Sequence, residues 1–499
     1  MSKNPTAAQI LSMQRTKNSL YWEKIRETKS LSLFRDAAKN VPAYKDFLKK
    51  NKIKVEKIKS WNDFVSVPPV NKNNYLRKYP LESLCWGGKL NKPLIYTSTS
   101  GSTGDPVFFV RSQKLDWQYS VLLENYLRRR VSKRKGSTLV IVCFGMGIWI
   151  GGIITYKAFE MAAQRSDLPV SIITPGLKKD DIISYLKKLS PKYESTILAG
   201  YPPFIKDIID EASDSGIDLP SLNIQVLFAA EAITEEFRNY LQNKLAMKNI
   251  FLDTMSIYGS ADIGAMAEEN PTSILVKRLA IENKDVFSKL FLPINKTPTL
   301  AQFNPYFINF ESMDDQIYLT GDSAMPLVRY GIGDTGGVFT FDEMKNGFGK
   351  QKISIKKEAQ NAKISEYLYE LPFVYVYERV DLSTTFYGLW IYPEWLRASL
   401  LENPLQDHIT GKFTLLTKYD KNKDQYLELN IELRKGKKPF RKLEREIMKK
   451  IVSALRNKSS EYTEISNQFG ERAYPKIILW PAGHPEHFMP GIKQKWVKK

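Results

Sequence analysis

Between Val107 and Asp253 the sequence switches repeatedly between short apolar runs and helical patterns, and this alternation restricts the fold more than any other feature. Strands are expected at 107–110, 138–144, 170–174, 195–198, 224–228 and 249–253, with helices at 113–130, 150–163, 178–189, 203–213 and 235–245 between them. Strands running in the same direction need a crossover of a dozen or more residues, which the helices supply. The pattern therefore predicts parallel β-α-β units with both sheet faces covered. Ligands in such sheets sit beyond the C-terminal strand ends, so the following loops are where chemistry is sought.

Ahead of this region, residues 6–60 read as polar helices with Tyr21, Trp22, Leu33, Phe34, Tyr44 and Phe47 as buried anchors, a helical N-terminal cap over 1–60. Beyond it, strands at 412–418, 426–433 and 475–480 and a helix at 437–456 read as a separate small α+β domain. A chain of 499 residues is long enough for both.

Leu139–Ile154 carries no charge, yet Gly145, Gly147, Gly151 and Gly152 divide it into a strand-like and a helix-like half, so a buried strand, turn and helix are expected rather than a membrane span. The net charge of +20 is spread over the whole chain without a basic stripe interleaved with stacking aromatics, which disfavours a nucleic-acid partner. Two cysteines, Cys85 and Cys143, argue against a disulfide framework, and three histidines offer no zinc spacing. Met1-Ser-Lys-Asn-Pro5 leads into polar sequence, from which a cytoplasmic protein is expected.

One loop stands out chemically. In Ile95-Tyr-Thr-Ser-Thr-Ser-Gly-Ser-Thr-Gly-Asp-Pro-Val107, two β-formers run into hydroxyl residues and two glycines before Pro106 forces an extended exit. Gly101 and Gly104 can let backbone N–H groups converge on an anion, while Thr99, Ser100, Ser102 and Thr103 supply hydroxyls to phosphate or magnesium. The Walker A loop is excluded, since the four Gly-Lys pairs are followed by Leu90, Gln351, Phe413 and Lys438 instead of Ser or Thr.

Thr-Ser-Gly-Ser-Thr-Gly-x-Pro resembles the signature loop of the adenylate-forming acyl-CoA synthetase superfamily, with details similar to the phenylacetate-CoA ligase branch. Further elements follow in order. Val67-Pro-Pro-Val-Asn-Lys72 resembles the branch's Pro-x-x-x-Lys segment and makes Lys72 a candidate phosphate contact. Ala230, Glu231 and Ala232 resemble the adenine-binding small-small-Glu-Pro element, with alanine in place of proline. Tyr258-Gly-Ser-Ala-Asp262 resembles Tyr-Gly-x-x-Glu, which implies Tyr258 and Gly259 along the adenine and Asp262, one methylene short, as metal ligand. Arg329-Tyr-Gly-Ile-Gly-Asp334 implies Asp334 on the ribose hydroxyls. Gly331–Gly336 also matches a dinucleotide fingerprint, but Val338-Phe339 is strand-like and no helix opens there.

The resemblance implies an α/β large N-terminal domain, residues 1–376, with mostly parallel sheets covered by helices, and a small mobile α+β C-terminal lid, residues 377–499. Arg379 would approach the ribose, Asp381 would be the pivot, and Lys493, with Lys495 as second choice, would bridge carboxylate and phosphate. The hinge departs from the family pattern at Glu378 and Leu382. Phe144, Met146, Trp149, Tyr201, Ser260 and Ala261 would line the acyl pocket, an apolar set that suits an aryl or fatty acid. The implied reaction uses ATP and Mg2+ to make an acyl-adenylate, followed by transfer to coenzyme A. The alternatives are transfer to an acyl carrier protein, saccharide or amine, or a nucleotide-binding protein without ligase activity. A second copy of the chain, as a homodimer, is a further candidate partner.

Overall fold

The computed structural model describes residues 5–91, 93–98, 107–131, 136–147, 150–293, 297–377, 384–400, 404–485 and 487–488. The N-terminal cap forms as helices Ala7–Thr16, Ser19–Asn40 and Pro42–Lys50, the first two opened by side-chain caps from Thr6 and Asn18. Trp22, Phe34, Tyr44 and Phe47 are buried, while Tyr21 and Leu33 are half-buried.

A two-stranded antiparallel hairpin follows, β1 (Ile95–Ser98) and β2 (Phe108–Arg111). The alternating region then yields β3 (Thr138–Cys143), β4 (Val170–Ile173), β5 (Ser195–Gly200), β6 (Ile224–Ala229) and β7 (Thr254–Ser260). Downstream come β8 (Gly264–Glu269), β9 (Thr299–Gln302), β10 (Ile308–Met313), β11 (Gln316–Gly321), β12 (Leu327–Phe339) and β13 (Phe373–Tyr377). All except β1 and β2 join one 11-stranded sheet in the order β10-β11-β12-β13-β9-β8-β7-β6-β5-β3-β4.

The sheet is mixed, and connection length explains where its direction changes. β4, β3, β5, β6 and β7 pair in parallel, joined through helices such as Pro202–Asp214 and Glu235–Leu245. From β7 onward the pairs are antiparallel; for β7–β8 and β10–β11 the turns Ala261–Ile263 and Asp314-Asp315 are too short to carry a crossover. Both Asp314 and Asp315 take positive φ, the geometry of a two-residue hairpin turn.

One expected strand is corrected. Residues 249–253 are not extended: Asn249 accepts a hydrogen bond from the Phe251 N–H and caps the short helix Ile250–Asp253, and the strand starts at Thr254. The uncharged run divides as its glycines predicted, into β3 and the helix Ile150–Ser166. Among the described residues no helix is long and apolar enough to cross a membrane.

The remaining strands build the small domain: the hairpin β14 (Thr384–Phe386) and β15 (Leu389–Ile391), and a separate sheet of β16 (Ile409–Tyr419), β17 (Gln425–Leu433) and β18 (Lys476–Trp480) under the helix Arg441–Lys458. One apolar core runs from Val140 and Leu227 of the large sheet through Phe386 and Tyr387 to Leu443 and Ile447. The small domain thus shares buried surface with the large one.

Candidate active site

Four neighbouring parallel strands, β3, β5, β6 and β7, end side by side. At or just past their C-terminal ends lie Phe144, Tyr201, Ala230–Ala232 and Tyr258–Ala261, so the topology gathers groups that the sequence separates by more than a hundred residues. Phe144 and Tyr201 are buried and meet edge to face at 5.1 Å, with Met146 half-buried nearby in sequence. Burial pushes the Tyr201 hydroxyl well above its ordinary range. Ala230 takes φ +74°, a left-handed conformation that costs a non-glycine residue about 1–2 kcal/mol and marks the end of β6 as strained.

The residues expected at the adenine and ribose come together: the Tyr258 hydroxyl donates to Asp334 Oδ2 at 2.7 Å. A register shift between Tyr258 and Gly259 bends the end of β7, and Asp334 is carried by β12. β12 continues as a strand through Gly331–Gly336, so the dinucleotide fingerprint is a chance match.

Asp262 is buried beside this pair. Its Oδ2 accepts from the Tyr330 hydroxyl at 2.7 Å, and its Oδ1 lies 3.5 Å from Lys72 Nζ. Lys72 reaches it because Val70 hydrogen-bonds to Arg329 and Gly331, joining the Pro-x-x-x-Lys segment to β12. No cluster of three metal-ligating side chains occurs among the described residues. A single buried carboxylate fits a magnesium ion, which binds through one or two carboxylates plus substrate phosphates.

The hairpin β1–β2 brackets the hydroxyl-and-glycine loop and is pinned to the same turn, Thr97 Oγ1 donating to the Ala261 carbonyl at 2.9 Å. Thr99, Ser100, Gly101, Ser102, Thr103 and Gly104 lie outside the described residues, as do Trp149, Arg379, Asp381, Lys493 and Lys495.

The Glu231 carboxylate reaches the small domain. Its Oε1 accepts the Gly388 N–H and its Oε2 accepts Gln425 Nε2 at 3.0 Å, so both oxygens bind the small domain. Tyr387 and Gly388 form the β14–β15 turn, with φ +48° and +79°. That turn sits over the ends of β5 and β6, close enough that a Cβ on Gly388 would lie 2.7 Å from the Tyr201 ring.

Around this contact runs a polar latch. Asp207 accepts from the Tyr387 hydroxyl at 3.0 Å and from Arg472, while Asp424 bridges Arg472 at 3.0 Å and Lys206 at 2.6 Å. Phe469 stacks on Phe204 at 5.1 Å and packs on Tyr387. Asp207, Tyr387, Gln425 and Arg472 carry no motif signal; the Tyr-Gly pair between two short β-prone runs is the one visible hint.

Burial raises the Asp207 carboxyl to about 7, against the pull of Arg472. Undocked and solvated, it would return to the ordinary carboxylate range near 3.9. Docking therefore takes up a proton: its support is complete below about pH 4 and is lost as pH rises through about 7. Small-angle scattering between pH 5 and 8 is expected to show the domains separating at the upper end, and Asp207→Asn is expected to flatten that response.

No family model matches the sequence, and no curated protein matches it significantly. Solved structures do. The fold is similar to 2-hydroxyisobutyryl-CoA ligase with 2-HIB-AMP and CoA in the thioesterification state, at TM-score 0.62 and 14% identity, covering 100% of this chain and 94% of that one. The same ligase in the postadenylation state with 2-HIB-AMP gives TM-score 0.54 at 14% identity, over 98% and 90% of the two chains. With a large mixed sheet, site loops at its strand ends and a separate small sheet domain, the chain has the fold of the adenylate-forming acyl-CoA ligases.

Proposed function

We propose that this protein activates a carboxylic acid with ATP and then passes the acyl group to a thiol, that of coenzyme A. The observation that carries this reading is the Tyr258–Asp334 hydrogen bond, with the Asp262–Lys72 pair at the turn that follows β7. A carboxylate oxygen of the acid would attack the α-phosphorus. The bond to the β-phosphate bridging oxygen breaks, and pyrophosphate leaves with the electron pair. In the second step the thiolate sulfur bonds to the acyl carbon and AMP departs.

The protein's share is alignment and charge neutralisation. Asp334 would accept the two ribose hydroxyls, freeing Tyr258 to lie along the base. Lys72 and residues 99–104 would receive the β- and γ-phosphates, and a magnesium ion carried by the nucleotide would meet Asp262 and spread their charge. By resemblance, Lys493 would steady the carboxylate. The Tyr387-Gly388 turn over Tyr201 supports the transfer step, since it brings the small domain to the acyl pocket. The higher similarity to the thioesterification state, 0.62 against 0.54, points the same way. The ordered motifs support the phenylacetate-CoA ligase-like branch, and two free, buried cysteines suit a cytoplasmic enzyme.

ATP–pyrophosphate exchange tests the first step. Incorporation of labelled pyrophosphate into ATP, dependent on an added acid and on magnesium, is the expected result. Absence of exchange across aryl, aliphatic and polar acids would refute adenylation.

A further inference from the structure

Arg111 ends β2, opposite Ile95 and on the same hairpin face as Thr97 and Phe109. That face packs on the β7–β8 turn, where Thr97 holds Ala261 and the Arg111 guanidinium lies against Gly264. Gly264 pairs with Ser260, which the resemblance assigns to the acyl pocket. A Cβ at Gly264 would lie 2.6 Å from Nη1 and 3.0 Å from Nη2, so the missing side chain makes room for this cation. The arginine is 2% exposed, and among the described residues its Nε and Nη1 have no hydrogen-bond partner.

Among the described residues its one ionic contact is Asp116, 3.4 Å from Nη2, and that carboxylate is already bound by Lys157 at 2.8 Å. Two cations share one buried anion, which leaves net positive charge and two idle donors. An unmet buried donor costs about 1–3 kcal/mol, more when charged, so such a group is normally met by something. A fully apolar acyl chain could not meet it.

Resting on the adenylation reading above, we infer that Arg111 binds a second anionic or acceptor-rich group on the acyl substrate, distal to the carboxylate that is activated. The preferred acids are then dicarboxylic or comparably polar acids, not the plain aryl or fatty acids suggested by Phe144, Met146 and Tyr201. In this reading Arg111 supplies the cation that the sequence-read pocket residues lack. Its signal, an arginine in a short strand beside the phosphate loop, becomes meaningful only once Gly264 is seen against it.

The test is pyrophosphate exchange with matched series of alkanoic, arylacetic and α,ω-dicarboxylic acids. The wild type is expected to favour diacids by about tenfold or more in kcat/KM, because a site built for a polar group rejects analogues that lack it. Arg111→Leu is expected to erase that preference while retaining exchange with monoacids, and Arg111→Lys to restore part of it. Equal use of both series by the wild type, or a parallel loss in Arg111→Leu, overturns the inference while adenylation stands. If no acid supports exchange, adenylation falls; thermal-shift binding of the diacids to wild type but not to Arg111→Leu would still support the anion site, and equal shifts would overturn it. Should Arg111→Leu not fold, Arg111→Gln serves the same comparison.

Discussion

Gly388→Val is expected to slow acyl transfer to the thiol severely while leaving adenylation intact. Three effects act together at this position. The backbone there has φ +79°, which a β-branched residue adopts only with strain, and Tyr387 beside it is already at +48°. The added Cβ would meet the Tyr201 ring at 2.7 Å, and that ring is buried against Phe144. Displacing the turn also removes the Gly388 N–H from Glu231. Together these should disfavour the docked small domain by about 3 kcal/mol or more, a loss of roughly a hundredfold in the transfer step. Thioester formation measured beside pyrophosphate exchange separates the two steps. A proportionate loss of both, or of neither, would show that the docked turn has no special part in transfer.

The second large effect is expected from Asp334→Ala. In the proposed complex this carboxylate accepts both ribose hydroxyls, and each hydrogen bond to a charged group contributes about 1.5–3 kcal/mol. Losing both should lower kcat/KM for ATP in the exchange reaction by at least about a hundredfold. Tyr258→Phe, which removes the donor to Asp334 Oδ2 but keeps the ring, should have a much smaller effect. Because Asp334 is only half-buried, the melting temperature of Asp334→Ala should stay near that of the wild type. Undiminished exchange would place the nucleotide elsewhere.

Much of this architecture could be read from local pattern. The alternation between Val107 and Asp253 anticipated β3 to β6 and their helices closely, because crossover length and apolar periodicity are properties of contiguous sequence. It failed at 249–253, where the Asn249 side chain captures the Phe251 N–H and starts a helical turn that hydrophobicity does not encode. The antiparallel half of the sheet was less visible: its strand-like runs can be recognised, but their partners follow from turns and from register, which depend on the whole sheet.

The site divides in the same way. Tyr258, Asp262 and Asp334 are recognisable because each sits in a short motif whose residue types suit a base, a cation or a pair of hydroxyls. The latch of Asp207, Tyr387, Gln425 and Arg472 gives no such sign, since its members are far apart in the chain and ordinary by themselves. Glu231 shows how far a motif reaches: its place in the sequence pointed to a nucleotide, and its carboxylate binds the small domain.

What the sequence determined alone was the kind of protein, a β-α alternation with a hydroxyl-and-glycine loop and acidic residues in a set order, because periodicity and turn chemistry act over neighbouring residues. Tertiary structure decided what those residues face. Desolvation of Arg111 beside Gly264, the grip of Glu231 on the Gly388 turn and the raised Asp207 carboxyl all arise from groups brought together across the fold, where burial, not residue type, sets the electrostatics.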